Sequence, residues 1–328
     1  MKVLVTGSAG YIAAHFIASM LDDNHHVTGI DNFSNSSMNQ VKILQKKGGK
    51  NFVFVNCDIL DLHNLEKIFK SSNFDAVIHF AALKSVPESM KNKEKYFYNN
   101  VIGTKNILEQ MVKNNVKNII FSSSAAVYGN SACQPLNEDS KLHPESFYGE
   151  TKMLCEKEII SNVKKNNLKA IILRYFNPVG FDKAIYHFSE KILSEGSLIS
   201  NILSVVNGKS DFFEIYGDDY DTADGTAERD YIHIDDLIRS HKLCINHLSK
   251  VNNFEIFNVG TGYPISVKEF LCQFSKTNKL NLPYKISKRR LGDAKTSYTC
   301  SKKIKENMSF EICKGLESMC ADSFKILR

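Results

Sequence analysis

The sequence predicts an α/β fold, a doubly wound parallel sheet followed by a smaller C-terminal α/β region. Three observations carry the prediction. Short apolar, β-branched runs of strand length alternate with stretches whose apolar residues recur at helical spacing, the pattern of βαβ crossovers in a sheet covered on both faces. A glycine-bearing turn, Gly7-Ser8-Ala9-Gly10, joins the first run to the first helical stretch. An acid, Asp31, closes the second run.

In chain order, Lys2–Thr6 is the first strand, and Ile12, Phe16, Ile17, Met20 and Leu21 mark the helix after it. Further strands fall at 27–30, 52–55, 76–80, 119–121 and 170–173, with helices at 101–114 and 148–162 among them. The texture changes near residue 178. Irregular Gly- and Asp-rich sequence such as Gly217-Asp218-Asp219 and Asp224-Gly225 reads as insertion above a sheet. We therefore divide the chain into a Rossmann-like dinucleotide domain, 1–177, to which 230–257 returns, and a substrate domain built from 178–229 and 258–328. Asp235 and Asp236 are expected to cap a helix beginning near Leu237. Asn258–Gly262 is a loop before a helix starting near Val267, and His233 is a strand histidine with a structural bond.

The 328 residues suffice for one large or two modest domains, and 43% hydrophobic with 24% charged residues is ordinary globular composition. The net charge of +6 arises from 42 basic and 36 acidic residues dispersed along the chain, which gives no nucleic-acid footprint and suits a small anionic substrate. Eight cysteines show no Cys-x-x-Cys pair, so they read as reduced thiols, and no metal is expected. Apolar runs are too short to span a membrane and no leader pattern precedes the first strand, so a cytoplasmic protein is expected.

The glycine turn sits between strand and helix, as a dinucleotide fingerprint requires. Gly7 allows the tight turn, Gly10 the approach of backbone to a pyrophosphate at the helix N-terminus, and Ala13 takes the third position. Asp31 can accept both hydroxyls of an adenosine ribose and repel a 2′-phosphate, which favours NAD over NADP, although a turn acid before Asn32 is the rival reading. Asp58, after the third strand, can accept from the adenine amine or simply form a turn.

Tyr148 and Lys152, four apart, share one face of the helix 148–162. An ammonium beside a phenol, joined by a cofactor's positive ring, can turn tyrosine into a base; bringing its pKa from ~10 to ~7 takes about 4 kcal/mol of preferential stabilisation. Ser124, at the carboxyl end of a strand, can bond the same substrate hydroxyl, or cap the next segment.

These motifs, with Tyr11-Ile12, Asp58-Ile59, Phe80-Ala81-Ala82-Leu83-Lys84, Tyr98-Asn99-Asn100, Ser122 to Gly129, Arg174-Tyr175-Phe176-Asn177-Pro178, Gly225-Thr226-x-x-Arg229-Asp230-Tyr231-Ile232-His233 and Arg289-Arg290-Leu291-Gly292-Asp293, resemble in order and spacing the UDP-galactose 4-epimerase family of extended short-chain dehydrogenases. The resemblance runs from residue 1 to about 325. It implies tightly held NAD, oxidation of a UDP-sugar at carbon 4 and return of hydride to the opposite face. Tyr148, Lys152 and Ser124 would be catalytic, and Gly7, Gly10, Tyr11, Ile12, Asp31, Asn32, Asp58, Ile59, Phe80, Ala81, Lys84, Asn99, Ser122 and Tyr175 would join Tyr148 and Lys152 around the cofactor. The substrate would meet Lys84, Ser124, Tyr148, Asn177, Asn201, Arg229, Arg290, Asp293 and Ser297. A homodimer through helices 101–114 and 148–162 is the family expectation.

Departures from the family pattern qualify this reading. Ile199-Ser200-Asn201-Ile202-Leu203-Ser204 replaces a proline-flanked stretch that holds the diphosphate and uracil, and Ala82 and Pro87 replace glycines. Ser297 is small where the family varies beside carbon 2, which implies room for an N-acetyl group. Ala125-Ala126 lacks the Asp-Glu pair of a 4,6-dehydratase. A uronate epimerase, a decarboxylase, an NADH-releasing dehydrogenase and a silent NAD-binding sensor remain the other readings.

Overall fold

The computed structural model describes residues 1–181, 196–290 and 293–327. The first half runs β1 (Lys2–Thr6), α1 (Tyr11–Asp22), β2 (His26–Asp31), α2 (Met38–Gly48), β3 (Phe52–Asn56), α3 (Leu62–Lys70) and β4 (Ala76–His79). Then come α4 (Val86–Lys91), α5 (Lys93–Tyr96), a π-helical turn (Phe97–Ile102), α6 (Gly103–Lys113), β5 (Asn118–Ser124), α7 (Phe147–Asn166) and β6 (Lys169–Tyr175). The remainder runs β7 (Asn177–Val179), α8 (Leu198–Val206), β8 (Phe213–Tyr216), β9 (Glu228–His233), α9 (Ile234–His247) and β10 (Phe254–Val259). It ends with β11 (Pro264–Ser266), α10 (Val267–Asn278), β12 (Tyr284–Ser287), β13 (Thr296–Ser297), α11 (Lys302–Met308) and α12 (Leu316–Phe324).

The central sheet is parallel in the order β10-β6-β5-β4-β1-β2-β3. Its winding reverses between β1 and β4, so a crevice opens beyond their carboxyl ends. Side-chain alternation splits the core into two layers: Val3 and Val5 pack with Phe16 and Ile17 of α1, while Leu4 faces Leu65 of α3, Ile107 of α6 and Ile159 of α7. Both layers are apolar, hence the unbroken hydrophobic runs of the inner strands.

β7 starts two residues after β6 and pairs with β9, which also carries β11 and β13, so a second small sheet grows from the carboxyl edge of the first. β8 and β12 form a separate parallel pair.

Two boundaries differ instructively from expectation. β5 and β6 extend through the polar Ser122–Ser124 and Arg174–Tyr175, because backbone pairing of Ser122, Ser123 and Ser124 with Leu173, Arg174 and Tyr175 holds them where apolar content gives no signal. α9 begins at Ile234, capped by the His233 ring, which accepts from Asp235 N at 3.1 Å. Asp235 and Asp236 therefore sit in the first turn, where their charge complements the helix dipole, and do not cap it.

Candidate active site

The crevice at the switch point is a cleft of about 500 Å³, within the range of small-molecule sites. On one side α1 starts just after its N-cap Gly10, which offers no side-chain cap, so its first-turn amides are available to an anion, and Tyr11 and Ile12 line the wall. Gly7 has φ +66°, and a Cβ there would come within 2.8 Å of the Ala81 backbone after β4. Only glycine lets these two strand ends approach so closely.

Asp31 is buried at the end of β2. Its Oδ2 accepts from Ala9 N at 3.0 Å, and its Oδ1 from Phe33 N and Ser36 Oγ, each at 2.8 Å. It is thus the turn acid of the rival reading, yet a carboxylate has about four acceptor sites. Three are used, and Asp31 also lines the cleft. Asn32 and Ile59 line it too, whereas Asp58 does not: its carboxylate accepts from Asn32 Nδ2 and Leu60 N, each at 2.8 Å. Asp58 therefore orients Asn32 and caps a turn.

The corner that brings Tyr148, Lys152 and Ser124 together is built by α7 crossing the end of β5. Ser146 caps α7 by accepting from Gly149 N at 3.1 Å, and a Cβ on Gly149 would lie 2.4 Å from Ala126 O, so glycine is what brings the helix against the serine run. Tyr148 is partly buried; burial pushes its phenol up to about 12, with its hydrogen bond to Ser124 pulling the other way. Ser124 also caps the next turn, accepting from Ala126 N at 3.2 Å, as its capping reading expects. Lys152 is buried, donates to Ser122 O at 2.6 Å and lies 5.9 Å from the Tyr148 ring centroid. Burial pulls its ammonium down to about 8. The chain by itself thus holds Tyr148 as a neutral phenol, because burial disfavours the phenolate.

Phe80, Ala81 and Lys84 from the β4 end, Asn99 from the π-helical turn, and Ser122 line the same wall. Tyr175 closes it; its hydroxyl lies 3.1 Å from His241 Nε2. His241 Nδ1 is 2.9 Å from Leu237 O, which can only accept, so Nδ1 carries the proton and Tyr175 donates to Nε2.

Asn177, Asn201, Arg229, Arg290 and Asp293 line the opposite wall. Asn177 Nδ2 donates to Asp230 O at 2.9 Å, which leaves its carbonyl for the cleft. Arg229 pairs with Asp293, while the Arg290 guanidinium stacks 3.8 Å over the Tyr216 ring. Leu291 and Gly292 of that motif lie outside the described residues. The altered stretch 199–204 is the body of α8, with Ile199, Ile202 and Leu203 buried. Ser297 pairs beside Arg229 on β9 and is not among the side chains lining the cleft.

The sequence reading assigned no role to several residues that the structure places in or beneath the cleft. Tyr216 escaped because a lone aromatic on a short strand has no periodic partner. Asn100, taken with the motif Tyr98-Asn99-Asn100, is architectural: it accepts from Leu83 N at 2.8 Å and donates to Leu83 O and Thr151 Oγ1, each at 3.0 Å, fixing the loop that presents Lys84. Glu156, one turn beyond Lys152, is buried against Arg174; its place on the Tyr148–Lys152 face was a readable signal.

Residues 3–260 match the model of the NAD dependent epimerase/dehydratase family. Among curated proteins, the UDP-glucose 4-epimerase of Bacillus subtilis is 37% identical over 99% of this chain and 96% of its own length. That of Pisum sativum is 39% identical over 98% and 94%. Among solved structures, a UDP-glucose-4-epimerase from Stenotrophomonas maltophila with bound NAD and formylated UDP-arabinopyranose superposes with a TM-score of 0.93 at 35% identity, covering 99% of this chain and 97% of that one. The Bifidobacterium longum enzyme in complex with NAD+ and UDP gives 0.90 at 35%, covering 99% and 98%. The match runs along nearly the whole length of these relatives, and the chain belongs to the NAD dependent epimerase/dehydratase family.

Proposed function

We propose that this chain interconverts UDP-galactose and UDP-glucose, inverting carbon 4 of the sugar through a transient 4-keto sugar. The observation that carries the reading is the Tyr148–Ser124–Lys152 corner, set between a dinucleotide wall and a wall bearing Arg229 and Arg290. The α1 N-terminus with Gly7, Gly10, Tyr11 and Ile12 suits the pyrophosphate of NAD, Asp31 and Asn32 its adenosine ribose, and Phe80, Ala81, Asn99, Ser122 and Tyr175 its nicotinamide half. Bound NAD supplies the hydride acceptor and donor at carbon 4.

Tyr148 takes the proton of the 4-hydroxyl and later returns it, while Ser124 bonds the same oxygen. Lys152 supplies positive charge and a donor to the nicotinamide ribose, and Lys84 reaches the same region. Arg229 and Arg290 take the diphosphate, with Asp293 on a ribose hydroxyl and Asn177 and Asn201 offering amides. The proposal extends to UDP-N-acetyl sugars, which the similarity to a UDP-Glc/GlcNAc 4-epimerase supports, although Ser297 pairs with Arg229 and does not itself line the cleft. Two copies pair through α6 and α7, where Val112 is exposed. Cytoplasmic placement fits eight free cysteines; among the described residues no helix is long and apolar enough to cross a membrane.

Incubating the purified protein with UDP-galactose and no added cofactor should yield UDP-glucose. Absence of conversion with NAD demonstrably bound would overturn this reading and leave another nucleotide sugar or the silent sensor. Asp31→Ala should weaken NAD retention roughly 10-fold or more, as befits a hydrogen bond to a charged group, and narrow the preference over NADP. Cofactor carried through gel filtration measures this, with a urea midpoint to separate loss of the turn.

A further inference from the structure

Tyr148, Lys152 and Glu156 follow one another at i, i+4 and i+8 along a single face of α7. The first two reach the cleft; the third turns under it. Glu156 is 2% exposed, and Arg174 3%. Oε1 of Glu156 accepts from Ser123 Oγ at 2.5 Å and from Arg174 Nε at 3.0 Å, and Oε2 accepts from Arg174 Nη2 at 2.7 Å. Ser123 and Arg174 are register partners on β5 and β6. One carboxylate on α7 thus binds both strand ends.

Strand alternation gives this clamp its consequence. Ser123 and Arg174 point to the α7 face, so their neighbours Ser122, Ser124 and Tyr175 present their side chains to the other, where all three line the cleft. The carbonyl of Ser122 receives Lys152, and the hydroxyl of Ser124 meets Tyr148. Holding Ser123 by its hydroxyl fixes the backbone on both sides of it. Arg174 extends the hold: Nη1 donates to Tyr128 Oη at 2.9 Å and to Glu138 O at 3.1 Å, and Tyr128 donates to Asn258 Oδ1 at 2.6 Å. A buried ion pair is a poor source of stability compared with apolar residues of equal volume. Its retention directly beneath the reacting groups calls for another role.

We propose that Glu156 is a positioning residue: through Ser123 and Arg174 it sets the separation of Ser124 and Ser122 from Tyr148 and Lys152, so that phenol, hydroxyl and ammonium meet in one geometry. Turnover is affected through the epimerase reading above, whereas the effect on the β5 end stands without it.

Two variants test the clamp. Glu156→Gln keeps the shape and removes the charge; Glu156→Leu with Arg174→Met removes both charges and keeps an apolar contact, so the fold survives even where a lone Arg174 charge would not. For both, kcat with UDP-galactose should fall roughly 10- to 100-fold, the cost of about 1 Å of misplacement, with KM within about 3-fold. Amide hydrogen exchange at 122–126 should quicken, while β1 and α1 keep wild-type rates. The alkaline limb of kcat should move to lower pH, because the Glu156 charge favours the Lys152 ammonium. Tyr148, Cys155 and His79, the other titratable groups about Lys152, are untouched. Either folded variant with wild-type kcat, alkaline limb and exchange at 122–126 would overturn the proposal. Should the wild type itself not convert UDP-galactose, the epimerase reading falls and the exchange arm still decides the clamp: unchanged exchange in either variant defeats it.

Discussion

Tyr148→Phe is expected to lower kcat roughly 1,000-fold, within the range a positioned proton-transfer group contributes. The ring remains in the cleft wall and the backbone amide of residue 148 keeps its bond to Ser89 Oγ at 3.1 Å, so KM for UDP-galactose should stay within a few-fold. Stability should hardly change, since the lost hydroxyl is bonded to Ser124, which keeps Ala126 N as its other partner. Ser124→Ala should cost less, because it removes a hydrogen bond and leaves the base in place. Initial rates with thermal midpoints alongside decide the matter. A Tyr148→Phe protein retaining a tenth of wild-type kcat would remove the phenol from the chemistry. The elevated phenol, about 12 in the folded chain, sets how much the loaded site must supply: coming to ~7 requires on the order of 7 kcal/mol of added preference for the phenolate.

Lys152→Met should cut kcat by roughly 100-fold or more, since it removes both the charge beside the phenol and a donor to the cofactor's ribose. The same change is expected to raise stability at pH 7. Burial holds the ammonium down at about 8, against ~10.4 in an unfolded chain, so below pH 8 folding carries the full cost of burying the charge. Between about pH 8 and 10.4 the unfolded chain binds the extra proton, so wild-type stability rises with pH and the advantage of methionine shrinks. Leaving Ser122 O without its donor offsets part of the gain, which should amount to about 1–2 kcal/mol at pH 7. Urea midpoints at pH 7 and 10 check the sign. A methionine variant less stable than wild type at pH 7 would show that the Lys152–Ser122 bond outweighs burial of the charge.

The sequence by itself determined the parallel sheet, the glycine turn after β1, the acid after β2 and the shared helix face of Tyr148 and Lys152. Each of these is local: strand and helix periods, a glycine demanded by one turn, and a four-residue spacing on one helix are written in neighbouring positions. What only the tertiary structure decided lies between segments distant in the chain. The serine run extends β5 because β6 pairs with it, and His233 displaces Asp235 and Asp236 as the cap of α9. Asp58 serves Asn32 and a turn, Ser297 stands off the cleft, and Arg229 meets Asp293 across 64 positions. The reason is physical. A polar side chain reads alike in sequence whether it will face solvent, a ligand or a buried partner, and the choice is fixed only when folding removes water and each buried donor must find an acceptor. Lys152 is the clearest case: its place on α7 was legible, but its bond to Ser122 and its lowered pKa exist only where α7 closes over the end of β5.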